Sequence, residues 1–150
     1  MPEAKNFKFG MVVSEWNEKI TEGLFHGAFD TFLENGVPEE NILRWNVPGS
    51  FELIYGCQKM LHTNPQLDAI IAIGCVIQGE TKHFDFVCEA VSQGIKDLNI
   101  LNDIPVIFCV LTDNNEQQSL ERSGGKLGNK GTEAAVAAIK MAQLRKDAEF

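Results

Sequence analysis

The chain has 150 residues, 44% of them hydrophobic and 23% charged, with a formal net charge of −8. That length and apolar content suit one globular domain, residues 1–150, large enough to bury a core. The 13 Lys and Arg residues form no run that would track a nucleic-acid backbone or coat an anionic membrane, so neither nucleic acid nor membrane is expected as a partner.

Residues 1–10 mix Glu3, Lys5, Asn6 and Lys8 among apolar residues and lack the apolar core of a signal peptide. The longest apolar stretch, 69–77, is interrupted by Gly74 and falls short of the roughly 18 residues that a membrane span requires. A cytoplasmic location is expected. Cys57, Cys75, Cys88 and Cys109 lie far apart, with no CxxC or Cys/His ligand spacing. The expectation is buried, reduced thiols, without a disulfide framework or a metal site.

Residues 7–13 form a short apolar run that reads as a strand, and Ile20, Leu24, Ala28, Phe29 and Phe32 then recur at helical spacing. Asn35-Gly36 stops that helix, Pro38 follows, and 42–47 reads as a second strand ending at Pro48-Gly49. Ser50 is placed as the N-cap of a second helix, with Leu53, Ile54, Cys57, Met60 and Leu61 on its apolar stripe until Asn64-Pro65 breaks it. A third strand covers 69–77, a helix 81–98, and a fourth strand 106–111 after Pro105. A short helix over 116–122, a glycine-rich bend and an alanine-rich helix over 129–146 complete the chain.

Apolar strands that alternate with helices are what a parallel sheet covered on both faces requires. The expected fold is therefore a four-stranded, doubly wound α/β domain, with ligands bound beyond the carboxyl ends of the strands. Four junctions become candidates. Trp16, after the first strand, either stacks on a flat ligand or covers the edge of the core. Ser50 and Glu52, after the second, either meet hydroxyls and ring NH groups or only cap a helix. Gly79-Glu80-Thr81-Lys82-His83, after the third, places a glycine turn and a threonine hydroxyl where a phosphate could sit at a helix start. His83, just beyond it, is the candidate acid/base. His26 and His62 fall inside or at the end of helices, away from the strand ends, and read as structural or surface residues. The fourth junction, from Phe108 into the bend carrying Arg122, Lys126 and Lys130, either draws in an anion or is a solvated surface. Taken together, these features describe an enzyme acting on a planar polyol and a small phosphate.

The segment Val47-Pro48-Gly49-Ser50-Phe51-Glu52 resembles the VPGAFE segment of lumazine synthases. The run from Ala72 to Val87 resembles that family's GxVIxGxTxHxDxV stretch, and Gly128-Asn129-Lys130-Gly131 its GNKG. The resemblance spans about residues 10–144, and it implies a flavodoxin-like, three-layer α/β/α fold with a four-stranded parallel sheet. By position, Trp16 is similar to the aromatic that stacks on the pyrimidine. Ser50, Phe51 and Glu52 would line ring and ribityl chain, with Cys75, Val76 and Ile77 flanking the same ligand through their backbone. Glu80 and Thr81 match the phosphate loop, His83 the proton-transfer histidine and Phe108 the ring-flanking phenylalanine. Arg122 matches the phosphate-binding arginine and Lys130 a supporting lysine. In the family these last three come from the adjoining subunit.

The resemblance further implies condensation of 5-amino-6-(D-ribitylamino)uracil with 3,4-dihydroxy-2-butanone 4-phosphate, a step of riboflavin biosynthesis needing neither metal nor flavin cofactor. It implies a homopentamer, a sixty-subunit icosahedral shell given the short 124–131 connection, and association with riboflavin synthase. Two departures stand out: Trp16 occupies a position usually held by phenylalanine, and Gln78 one that is often basic. A flavin-binding carrier or a shell protein of the same fold are the alternative readings.

Overall fold

The computed structural model describes residues 1–149. Strand β1, Phe9–Ser14, leads into helix α1, Glu18–Glu34, and strand β2, Ile42–Val47, into helix α2, Leu53–Thr63. Strand β3, Ala69–Ile77, is followed by helix α3, His83–Leu101, and strand β4, Val106–Asp113, by helix α4, Glu116–Arg122. Residues Ser123–Gly125 and Gly128–Asn129 pair as a short antiparallel ribbon before helix α5, Lys130–Asp147. The four strands form one parallel sheet in the order β2-β1-β3-β4, the reversal of strand order characteristic of a flavodoxin-like sheet.

Side chains alternate across a strand, and here both faces are apolar. Phe9, Met11 and Val13 of β1, with Ile71, Ile73 and Cys75 of β3, pack beneath Leu24, Ala28 and Phe32 of α1 and Ala135, Ala138 and Ile139 of α5. Val12, Ile70 and Ala72 point the other way, onto Leu53, Cys57 and Met60 of α2 and Val91 and Ile95 of α3. Helices on both sides of the sheet complete the expected three layers. On the first face Phe9 and Phe32 stack with ring centroids 4.3 Å apart. On the outer strand β2, Arg44 lies over the Phe25 ring at 4.2 Å and pairs with both oxygens of Glu22, whose carboxyl it holds below the usual range.

The GNKG segment is largely a structural device. Gly128 adopts φ +87°, in the region that favours glycine. The Asn129 side chain accepts from the Gly131 N–H at 2.7 Å, capping α5, and donates to the Gly23 carbonyl of α1 at 2.9 Å. A Cβ on Gly131 would collide with the Leu24 carbonyl, so this glycine lets α5 lie directly against α1.

Several sequence expectations shift by a turn or less. β4 runs two residues beyond 111 because β3 continues to Ile77 and holds Thr112 and Asp113 in register. α3 begins at His83 rather than Thr81, whose hydroxyl instead accepts from the His83 N–H at 3.3 Å. Ser50 is not the N-cap of α2. Residues Ser50–Glu52 form a single 3₁₀ turn preceded by extended Gly49, so the serine lies inside the first turn and its hydroxyl makes no hydrogen bond to the helix amides. Cys57, Cys75 and Cys109 are buried and Cys88 only partly so, all four as free thiols. Burial pushes the Cys57 and Cys109 thiols up to about 12. Among the described residues, no helix is long and apolar enough to cross a membrane.

Candidate active site

All four strand ends are stitched together at the carboxyl edge of the sheet. The backbone N–H groups of Glu15 and Trp16 donate to the carbonyls of Val47 and Pro48 at 2.8 and 3.0 Å, which binds the end of β1 to the end of β2. Asn17 sits in the left-handed region at φ 62°, and its side-chain amide donates to the Cys75 carbonyl of β3 at 3.0 Å. A left-handed non-glycine residue is uncommon and is often found beside functional sites. The Gln78 N–H donates to the Asp113 carbonyl at 2.9 Å, carrying the stitching across to β4.

A cleft of about 780 Å³ opens above these ends. Trp16 and Phe51 form aromatic walls and are 71% and 57% exposed, so neither serves the core. The Trp16 indole therefore does not cover the core edge. Gly49, Ser50 and Glu52 line one side, Cys75, Val76 and Ile77 the floor, and Gly79, Thr81 and His83 the mouth of α3. Phe84, Phe86, Val87 and Ala90, from the first two turns of α3, widen the apolar wall, and none of the four is among the residues expected at the site from the sequence. Their signal was the continuation of an apolar stripe right up to the helix start.

Ser50 is the most informative member. Its residue is only 6% exposed, and among the described residues its Oγ is the buried side-chain polar atom that finds no hydrogen-bond partner. Such an atom is costly unless something satisfies it. A Cβ on Gly74 would come within 2.6 Å of this Oγ, so a glycine in β3 is what allows the hydroxyl to reach the cleft floor. The capping role held open for Ser50 and Glu52 is not realised, since neither side chain makes a capping hydrogen bond.

The remaining candidates lie elsewhere on the chain. Phe108, 43% exposed, points outward from β4, the sheet's edge strand. It shares a hollow of about 400 Å³ with Asp113, Lys130 and Glu133, and the Lys130 ammonium stands 3.2 Å from the Glu133 carboxylate. Arg122 closes α4, donating from Nη1 to the Gln118 carbonyl at 2.9 Å and lying 3.8 Å from the Asp113 carboxylate. Neither Phe108, Arg122 nor Lys130 lines the cleft, and Glu80 faces solvent at its rim. His26 stands exposed on α1 and His62 in the last turn of α2, both remote from the strand ends. Among the described residues, no three His, Cys, Asp or Glu side chains converge as a set of metal ligands.

With this geometry in place, comparison with known proteins is decisive. Residues 6–146 match the family model described as 6,7-dimethyl-8-ribityllumazine synthase. The chain belongs to the 6,7-dimethyl-8-ribityllumazine synthase family. It is 76% identical over its full length to the 6,7-dimethyl-8-ribityllumazine synthase of Christiangramia forsetii, covering 89% of that protein. It is 70% identical over its full length to the Flavobacterium johnsoniae enzyme of the same name, covering 78% of it, and 54% identical over 94% of the chain to that of Cytophaga hutchinsonii, covering 88%. Family membership therefore agrees with the resemblance carried by the VPGSFE, GCVIQGETKHFDFV and GNKG segments.

Proposed function

We propose that this chain condenses 5-amino-6-(D-ribitylamino)uracil with 3,4-dihydroxy-2-butanone 4-phosphate to form 6,7-dimethyl-8-ribityllumazine. Family membership supports the reaction. The observation that carries the assignment of residues is one cleft holding an exposed indole, a buried partnerless hydroxyl and a histidine at a helix start.

In this reading the pyrimidine stacks on Trp16 and presents a polar edge to Ser50 Oγ, which gains the partner it lacks. Glu52 accepts from ribityl hydroxyls, Phe51 covers the ring, and the backbone of Cys75, Val76 and Ile77 reads its edge. The phosphate lies at the turn before α3, where Gly79 removes side-chain bulk, Thr81 and Glu80 flank it and the helix start presents amides. The amine attacks the ketone and imine formation releases one water. Elimination then expels phosphate, and closure of the second ring releases another water. Each stage moves protons, and His83 is the group placed to carry them. Much of the rate gain comes from holding two substrates in reacting geometry.

Arg122, Lys130 and Phe108 act in trans. None of them lines the cleft of its own chain, and all three lie beside β4, an edge strand of the sheet, which supports a homo-oligomer in which each cleft is completed by a neighbour. A pentamer built into a sixty-subunit shell is the assembly proposed, with riboflavin synthase as an associated protein.

Mixing the purified protein with both substrates and following lumazine fluorescence tests the reaction. Product formation with matching phosphate release is expected. Tight flavin binding with no lumazine formed would overturn it in favour of a carrier.

A further inference from the structure

Asp113 ends the edge strand β4, yet its side chain is only 14% exposed. One carboxylate oxygen, Oδ2, accepts from the Ser119 hydroxyl at 2.8 Å, and the other, Oδ1, lies 3.8 Å from Nη1 of Arg122. Ser119 is wholly buried on α4 and accepts in turn from the Cys75 thiol at 3.4 Å. A continuous polar chain thus runs from Cys75, on the floor of the cleft, through Ser119 and Asp113 to the guanidinium at the end of α4.

On charge alone this arrangement is unexpected. A carboxylate beside an anion-binding arginine competes with the anion for the same cation. A carboxylate serving only to neutralise Arg122 would need no buried hydroxyl to fix it. The geometry has a different consequence. Asp113 and the Gln118 carbonyl both engage Nη1, so the guanidinium is held through one nitrogen, while no described residue accepts from Nε or Nη2. Those N–H groups form the edge that meets a phosphate in a fork. Ordering a long side chain before the ligand arrives removes part of the entropic cost of binding.

We propose that Asp113, fixed by Ser119, is the positioning residue for Arg122 and thereby sets the affinity for the sugar phosphate. The inference rests on the reading of Arg122 as a phosphate ligand. The pair takes no part in proton transfer and touches no substrate.

Steady-state kinetics on the intact oligomer test it, with melting and sedimentation checked for each variant. Asp113→Ala should raise the KM for the sugar phosphate about tenfold, the scale of having to order one long side chain on binding. The kcat and the pyrimidine KM should stay within about twofold, because binding and not the chemical step is affected. Ser119→Ala should produce the same signature at roughly threefold, since it loosens the carboxylate without removing it. Adding Asp113→Ala to Arg122→Ala should change nothing more, since the carboxylate acts only through the guanidinium. Asp113→Asn serves if the alanine variant does not assemble. An unchanged or lowered sugar-phosphate KM, an equal rise for both substrates, or full additivity with Arg122→Ala would overturn the proposal. Failure of Arg122→Ala itself to raise that KM would instead remove the reading beneath it.

Discussion

The carboxyl-end cleft and the outer edge of β4 carry opposite kinds of incompleteness. In the cleft, the ends of β1 and β2 are tied by backbone hydrogen bonds and that of β3 by the Asn17 side chain, the walls are largely apolar, and one buried hydroxyl has no partner within the chain. At the β4 edge, Phe108 and Lys130 share an open hollow with Asp113, Arg122 lies against that same carboxylate, and none of the three lines the cleft of its own chain. The first region has the make-up of a ligand site and the second that of a contact surface. On the proposal above, a chain supplies one half of a site to itself and the other half to a neighbour.

The largest expected effect strikes the cleft. His83→Ala should lower kcat by about a hundred- to ten-thousandfold, the usual contribution of general acid/base catalysis, without abolishing turnover. Retained wild-type kcat in an intact oligomer would remove His83 from the proton path. Arg122→Ala should strike the other region, raising the sugar-phosphate KM by about ten- to a hundredfold. A change confined to the pyrimidine KM would contradict a phosphate role. Trp16→Ala should weaken pyrimidine binding by about tenfold, in line with the loss of one aromatic stacking partner. Equilibrium titration with a ribityl-pyrimidine analogue measures this directly.

The fold itself was legible because its central elements are locally consistent: β1, β3 and the helices α1, α2 and α3 carry clear apolar patterns, and Asn35-Gly36, Pro48-Gly49, Asn64-Pro65 and Pro105 punctuate the chain between elements. Asn35-Gly36 marks the end of α1 as expected, with Gly36 at φ +86°. Part of the cleft was legible too, because Trp16, Ser50, Glu52, Thr81 and His83 lie just beyond strands whose ends the topology brings together, whereas Phe84, Phe86, Val87 and Ala90 enter it from inside α3. Ser50 misled because a serine before an apolar stripe has the same appearance whether it caps a helix or enters a 3₁₀ turn. The difference is made by Gly74, a glycine 24 positions away that opens space for the hydroxyl. The Asp113–Ser119–Cys75 chain left no signal at all, since its members belong to three elements and none matches a catalytic spacing. The separation of Phe108, Lys130 and Arg122 from the cleft is likewise a property of three-dimensional placement.

Two smaller effects sharpen the contrast between scaffold and site. Asn129→Ala should cost about 1 kcal/mol of stability through loss of the α5 cap, with substrate KM values little changed. Chemical denaturation compared with kinetics separates these. Cys57 and Cys109, with thiols pushed up to about 12, stay protonated throughout the neutral range and below their shifted values. A thiol reagent at pH 8 should therefore label partly exposed Cys88 first, and mass spectrometry would locate the label.

The shared site is tested most directly by complementation. His83→Ala and Arg122→Ala subunits, each nearly inactive alone at low sugar phosphate, are unfolded together and reassembled in equal amounts. Random assembly in a ring should leave about one site in four with an intact cleft facing an intact Arg122, restoring roughly a quarter of wild-type activity. Activity that stays at the average of the two parent variants would show that both residues serve the same chain's site.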